Sequence, residues 1–184
     1  MRIISGRFKG AKLEAPKGHD TRPTSDRTRE SLFNLLLNGK FSKQLRNRPF
    51  ADIFAGTGAV GLEAISRGAS KGYFLENGRH ALPHLEANIT KCRVEDEARI
   101  FRVDASKPPR APEACGIIFI DPPYGKDLIN ICLTPLIEKG WLAEDGVVIT
   151  QGHPADPVSV PKGFEIADER KYGAALLFFL KRIS

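Results

Sequence analysis

Cysteine is scarce in this chain, and its spacing excludes more than its number does. The 184 residues hold three, Cys92, Cys115 and Cys132, with no CxxC pair. An odd count without paired spacing fits reduced thiols in a cytoplasmic protein, not a disulfide framework or a zinc site. Apolar neighbours mark all three as structural. Long hydrophobic runs are missing too: none approaches the ~20 residues of a membrane span, and "MRIISGRFKG" has no apolar signal-peptide core. There is no internal repeat and no low-complexity segment. A metal constellation is also lacking. His80 and His84 stand at i,i+4, but no third ligand is near them in sequence. His19 and His153 lie among Gly, Asp and Pro, as loop residues do.

What is present is an ordinary globular balance, 41% hydrophobic and 27% charged, enough for one well-buried core and a small appendage. The net charge of +6 is unevenly placed. Residues 1–50 carry 12 Lys/Arg against 4 Asp/Glu, whereas residues 51–184 carry 16 against 18. A localised basic segment is the footprint of a polyanion partner, most often nucleic acid; a solvated face is the plainer reading. Residues 1–24 therefore read as a basic extension that contacts nucleic acid, and residues 25–184 as a single domain.

"RIIS", a glycine-containing turn and "AKLEA" predict a short extended region. Thr24, Ser25 and Asp26 suit a helix start, "RTRESLFNLLLN" its body and Gly39 its end. From Phe50 strands alternate with helices. "FADIFA", "GYFLE", "ARIFRVDA", "GIIFID" and "GVVIT" read as strands. "AVGLEAISRG", Asn77 to Cys92 and Leu128 to Lys139 read as helices. Pro83 conflicts with the second helix, where an interior proline costs ~3 kcal/mol. A start nearer Arg79 would bring it close to the first turn and remove most of that cost. "FEIADERKYGAALLFFL" predicts an antiparallel hairpin at one sheet edge. The alternation predicts an α/β fold: a doubly wound, seven-stranded, mostly parallel sheet with a small N-terminal β-hairpin and helix extension.

"DIFAGTGAVG" sets Gly56-x-Gly58-x-x-Gly61 between a strand and a helix, and Glu76 ends strand two twenty residues past Gly56. Glycines there permit a tight turn and close approach of backbone N–H groups to a ligand. A carboxylate at that distance can accept both hydroxyls of a ribose, the fingerprint of a nucleoside-bearing cofactor. Asp52 would repel a pyrophosphate but can hold an ammonium group, such as that of S-adenosylmethionine. Asp104, ending strand three, is placed for an adenine amino group, or is only a turn former. The candidate cofactor contacts are Asp52, Phe54, Ala55, Gly56, Thr57, Gly58, Glu76, Asp104 and Ala105. No phosphate-loop lysine follows the glycines, which argues against ATP chemistry.

Strand four ends abruptly at Asp121-Pro122-Pro123-Tyr124, because proline cannot continue a ladder. Alone, this is a stiff turn. Beside the glycine turn, at the carboxyl edge where open α/β sheets bind ligands, it predicts a pocket. The Asp121 carboxylate and the Pro122 carbonyl are acceptors held on that turn, with Pro123 adding stiffness and Tyr124 an aromatic face.

These two motifs resemble the amino-methyltransferases, which share [Asp/Asn]-Pro-Pro-[Tyr/Phe]. "RIISGRFKGAKLEAP", "TRPTSDRTRESLFNLL", "DIFAGTGAVGLEAISRGA" and "KYGAALLFFL" sharpen this to a resemblance to the RsmD family. Those are bacterial 16S ribosomal RNA guanine-N2 methyltransferases, named for guanine 966. The resemblance implies a Rossmann-like class I methyltransferase domain that uses S-adenosylmethionine. Ala55 to Gly58 would hold the amino-acid end, Glu76 the ribose and Asp104 the adenine edge. Asp121 to Tyr124 would form the base pocket, with the Asp121 carboxylate and the Pro122 carbonyl accepting from the base's amino group and Tyr124 stacking an unstacked base, worth ~1–3 kcal/mol. Arg22, Thr24 and Arg29 lie in the family's N-terminal signature and would fold over the cofactor or reach RNA, with Arg2, Arg7, Lys9 and Lys12 as further RNA contacts. The implied partner of this cytoplasmic monomer is 16S ribosomal RNA, free or in an assembled 30S particle, with no metal and no membrane. The chain departs from the pattern at the end of strand five, where Thr150-Gln151 replaces an expected acid. The rival readings are adenine-N6 methylation of DNA or RNA, methylation of a protein glutamine, a nicotinamide-dependent oxidoreductase, and a non-catalytic RNA-binding module.

Overall fold

A computed structural model describes residues 1–16, 25–123, 127–152, 158, 160–172 and 175–183. Helix α1 (Asp26–Asn38) begins where Ser25 Oγ accepts the Thr28 N–H at 3.1 Å. It buries Leu32, Phe33 and Leu36, and ends at Gly39, where a Cβ would lie 2.5 Å from the Leu35 carbonyl oxygen. A single turn, α2 (Ser42–Leu45), follows. The alternating region comprises β1 (Pro49–Ile53), α3 (Ala59–Ser66), β2 (Lys71–Leu75), α4 (Leu82–Cys92), β3 (Ala98–Phe101), β4 (Cys115–Ile120), α5 (Leu128–Glu138) and β5 (Leu142–Gly152). The hairpin β6 (Phe164–Tyr172) and β7 (Ala175–Arg182) completes it.

The seven strands are ordered β3-β2-β1-β4-β5-β7-β6. β1 to β5 pair in parallel, and β7 runs antiparallel to both β5 and β6. The doubly wound sheet is therefore as expected. After β3 the chain returns past β1 to form β4, so the neighbours β1 and β4 flank the point where the winding reverses, the usual ligand crevice of such sheets. Side chains alternate between two faces. Ala51, Ile53, Ile118, Ile120 and Val148 meet α5 and Trp141. Phe50, Ile117, Phe119 and Phe179 meet α1, and Phe74 packs under α3 and α4.

The second helix starts at Leu82, later than the expected Asn77. Gly78 O collects the N–H groups of both Ala81 and Leu82 at 3.0 Å, and Pro83 falls in the first turn, where a missing N–H costs nothing. β5 is longer than "GVVIT", entering through a register shift opposite Cys115 and Ile117.

Residues 1–16 lie on the sheet's helical layer. Arg2 bridges Lys12, Ile3 N–H donates to Ala11 O at 3.0 Å, and Leu13 N–H to Met1 O at 3.1 Å. Ile3 and Leu13 are buried with Leu62, Phe74 and Leu85. Glu63, wholly buried on α3, accepts the N–H groups of Ile4 and Ser5 at 2.7 and 3.0 Å. Ser66 Oγ donates to Ser5 O at 2.6 Å and accepts the Phe8 N–H at 3.0 Å. The three cysteines are buried thiols, and burial pushes each one's pKa up. Among the described residues, no helix is long and apolar enough to cross a membrane, and no His/Cys/Asp/Glu group has the makings of a metal site.

Candidate active site at the carboxyl edge of the sheet

β1 delivers the chain into a turn with three left-handed residues: Phe54 (φ 62°), Gly56 (φ 57°) and Gly58 (φ 78°). Positive φ is costly for a bulky residue such as Phe54 and natural for glycine. Gly58 N–H closes the turn on Ala55 O at 2.8 Å, and Ala55 N–H reaches Leu75 O at 3.1 Å. The glycines differ in what they allow. A Cβ at Gly61 would lie 2.4 Å from the Phe74 ring and one at Gly58 2.4 Å from Leu85, so these two let α3 and α4 close on the sheet. A Cβ at Gly56 would meet only Phe54 O, at 4.0 Å, so that position opens onto free space.

Three carboxylates gather around this turn. Asp52, only 2% exposed, lies beneath it and accepts the Gly61 N–H at 2.8 Å. Burial pushes its pKa well above the carboxylate range, and the negative charges of Asp121 and Glu76 push the same way. Glu76 accepts the Gly56 N–H at 2.7 Å through one oxygen and the Asn77 and Gly78 N–H groups at 3.0 and 2.6 Å through the other. Asp121 carries the β1–β4 pairing one residue further, its N–H 3.5 Å from Ile53 O. Pro122 is buried behind it and Pro123 is exposed.

Asp104 stands apart on the exposed loop after β3. It accepts the N–H of Ser106 at 2.9 Å and its hydroxyl at 2.8 Å, bonds that hold its pKa below the usual range. Neighbouring Ala105 is part of the core. Thr150 faces Ile120 across the β4–β5 pair, fully buried, and its hydroxyl has no hydrogen-bond partner among the described residues.

Of the expected RNA contacts, Arg2, Arg7, Lys9 and Lys12 are exposed. Arg7 pairs with Glu97 at 2.5 Å and lies over the Phe8 ring. Arg29 corrects the expectation: it is 0% exposed, and its guanidinium donates to Arg2 O at 2.6 Å and to Asp26 at 2.9 Å. Buried beneath Arg2, it ties the hairpin to α1. Tyr124, Arg22 and Thr24 lie outside the described residues.

Sequence reasoning missed Asn88. It is fully buried on α4, where Nδ2 donates to the carbonyls of Thr57 and Glu14, both at 3.0 Å, and Oδ1 accepts the Glu14 N–H at 2.7 Å. The available signal was a polar residue at i+3 from Leu85, on the face shared with Ile89 and Cys92.

A family model described as conserved hypothetical protein 95 matches residues 1–181. The chain is 30% identical over 177 residues to the ribosomal RNA small subunit methyltransferase D of Haemophilus influenzae, covering 94% of this chain and 89% of that one. It is 31% identical over 175 residues to the protein of the same name from Escherichia coli, covering 94% and 85%. Among solved structures, the yhhF protein of Escherichia coli superimposes with a TM-score of 0.84 at 28% identity, covering 100% of this chain and 98% of the other.

Proposed function

The chain belongs to the RsmD family, described by its model as conserved hypothetical protein 95, and on that footing we propose that it methylates the N2 amino group of a guanine in 16S ribosomal RNA, using S-adenosylmethionine. It would act in the cytoplasm as a monomer, on free RNA or on an assembled 30S particle. The observation that carries this reading is the pairing of β1 with β4, which sets the glycine turn and Asp121-Pro122 at one sheet edge.

The residues fit this cofactor. Asp52 is buried beneath the glycine turn, where it accepts a backbone N–H from Gly61, a setting that favours an ammonium and disfavours a pyrophosphate. Gly56 leaves open space beside a backbone N–H, and Glu76, already tied to that N–H, would accept the ribose hydroxyls. Asp104 would take the adenine edge.

The methyl of a sulfonium is already activated, so the protein's work is orientation and desolvation. The lone pair of a guanine 2-amino group is delocalised into the ring. The Asp121 carboxylate and the Pro122 carbonyl would each accept one of its N–H bonds, turning the nitrogen toward the methyl donor and favouring its pyramidal form. Positive charge grows on that nitrogen in the transition state, where the same two acceptors bind it more strongly than in the ground state. Pro122 fixes its own φ and so steadies the carbonyl. Tyr124 would stack the flipped base. The exposed Arg2, Lys9 and Lys12 would meet the RNA backbone, with Arg22 and Thr24 nearby in sequence.

Labelled S-adenosylmethionine tests this against naked 16S RNA, 30S particles, DNA and a glutamine-bearing protein. Label in 16S RNA as N2-methylguanine is expected; label only in DNA or protein would overturn the substrate. Asp121→Ala should lower turnover by at least about 100-fold while cofactor binding stays within a few-fold. Full turnover in that variant would remove Asp121 from the chemistry.

A further inference from the structure

Asn88 joins two segments that the sequence keeps far apart. Its amide makes a reciprocal pair of bonds with the backbone of Glu14, in the second arm of the N-terminal hairpin just past Lys12 and Leu13. Its remaining bond goes to the Thr57 carbonyl in the glycine turn. That carbonyl shares a peptide plane with the Gly58 N–H, which closes the turn on Ala55 O. Fixing one end of the plane therefore orients the other. Leu85 presses on Gly58 from the same helix, so α4 grips the turn by both polar and apolar contact.

Building on the reading above, with the hairpin at the RNA and the glycine turn at the cofactor, we infer that Asn88 is a positioning residue that couples RNA binding to cofactor binding. Whatever steadies the hairpin steadies Glu14, and through one side chain steadies Thr57. The coupling is reciprocal: each ligand raises the affinity of the other by the same factor. Only an amide fits this place. Two carbonyls need N–H donors and one N–H needs an acceptor, and aspartate would offer acceptors alone.

Asn88→Asp and Asn88→Ala are compared with Ile89→Ala, which opens a cavity on the same helix and leaves the amide intact. Titration calorimetry with S-adenosylhomocysteine, the cofactor lacking the transferable methyl, is run with and without a saturating 16S RNA transcript, and with S-adenosylmethionine on the protein alone. In the wild type, RNA is expected to tighten cofactor binding about five-fold or more. The Asn88 variants should weaken cofactor binding alone by about ten-fold and reduce the RNA effect to near unity, while Ile89→Ala keeps the RNA effect. Loss of coupling in Ile89→Ala as complete as in the Asn88 variants would overturn the inference, as would full coupling in Asn88→Asp. Hydrogen exchange on the wild type needs no variant: cofactor alone should slow exchange of the Glu14 amide, and unchanged exchange there overturns the coupling. A wild type that binds no S-adenosylmethionine would sink the underlying reading instead, whereas binding without coupling sinks only the role of Asn88.

Discussion

Asp52 is a wholly enclosed carboxyl of the site, 2% exposed. Its folded pKa is raised by burial first and by Asp121 and Glu76 next. The folded state therefore holds a proton that the unfolded chain releases earlier. That stability is fully present below the ordinary carboxylate range and is lost as pH rises through the raised value. Asp52→Asn keeps an acceptor for the Gly61 N–H and carries no charge. Its melting temperature should exceed the wild type's at about pH 8, by about 2–4 °C per kcal/mol relieved, and the two should converge near pH 4. Melts across that range check it; a variant less stable at every pH would mean that the carboxylate has a stabilising partner. The same substitution should weaken cofactor binding, since an ammonium would lose its counter-charge. At this scale the glycines were legible, because a left-handed turn and a close helix approach tolerate few other residues. Arg29 was not. Basic residues usually reach solvent, and although Asp26 is an i,i+3 neighbour on α1, only the fold brings the Arg2 carbonyl to it.

The hairpin of residues 1–14 divides its side chains cleanly: Ile3 and Leu13 turn inward, while Arg2, Lys9 and Lys12 turn outward. Neutralising Lys9 and Lys12 together should weaken RNA binding and flatten the slope of log K against log salt by about 1.4 to 1.8. Filter binding between 50 and 200 mM salt measures it, and an unchanged slope would return both lysines to the solvated surface. Strands and the final hairpin were legible because β-branched and aromatic runs bounded by turn residues leave few alternatives. The start of α4 was shifted by contacts at Gly78 that no periodicity encodes, and α2, with four residues, is too short to show a period. The polar ties of Glu63, Ser66 and Asn88 were hidden for a related reason. A buried polar residue on a helix looks like an interruption until its partner strand is known.

For the whole molecule, the basic hairpin shares a core with α3 and α4. Burying Ile3 and Leu13 contributes about 1.5–3 kcal/mol each, against the 5–15 kcal/mol typical of a domain. Deleting residues 1–13 should therefore lower the melting temperature by about 10 °C or more, as well as weaken RNA binding. Scanning calorimetry checks this, and an unchanged transition would make the hairpin a detachable arm. The sheet imposes an order of its own. β7 follows every other strand in the chain yet lies between β5 and β6. β5, with Val147, Val148 and Ile149 buried in the finished sheet, lacks its native partner on its β7 flank until Ala175–Arg182 has been made. A chain stalled before Ala175 would display that flank as a template for other unfinished chains. Pairing of β7 with both β5 and β6 is what closes that flank.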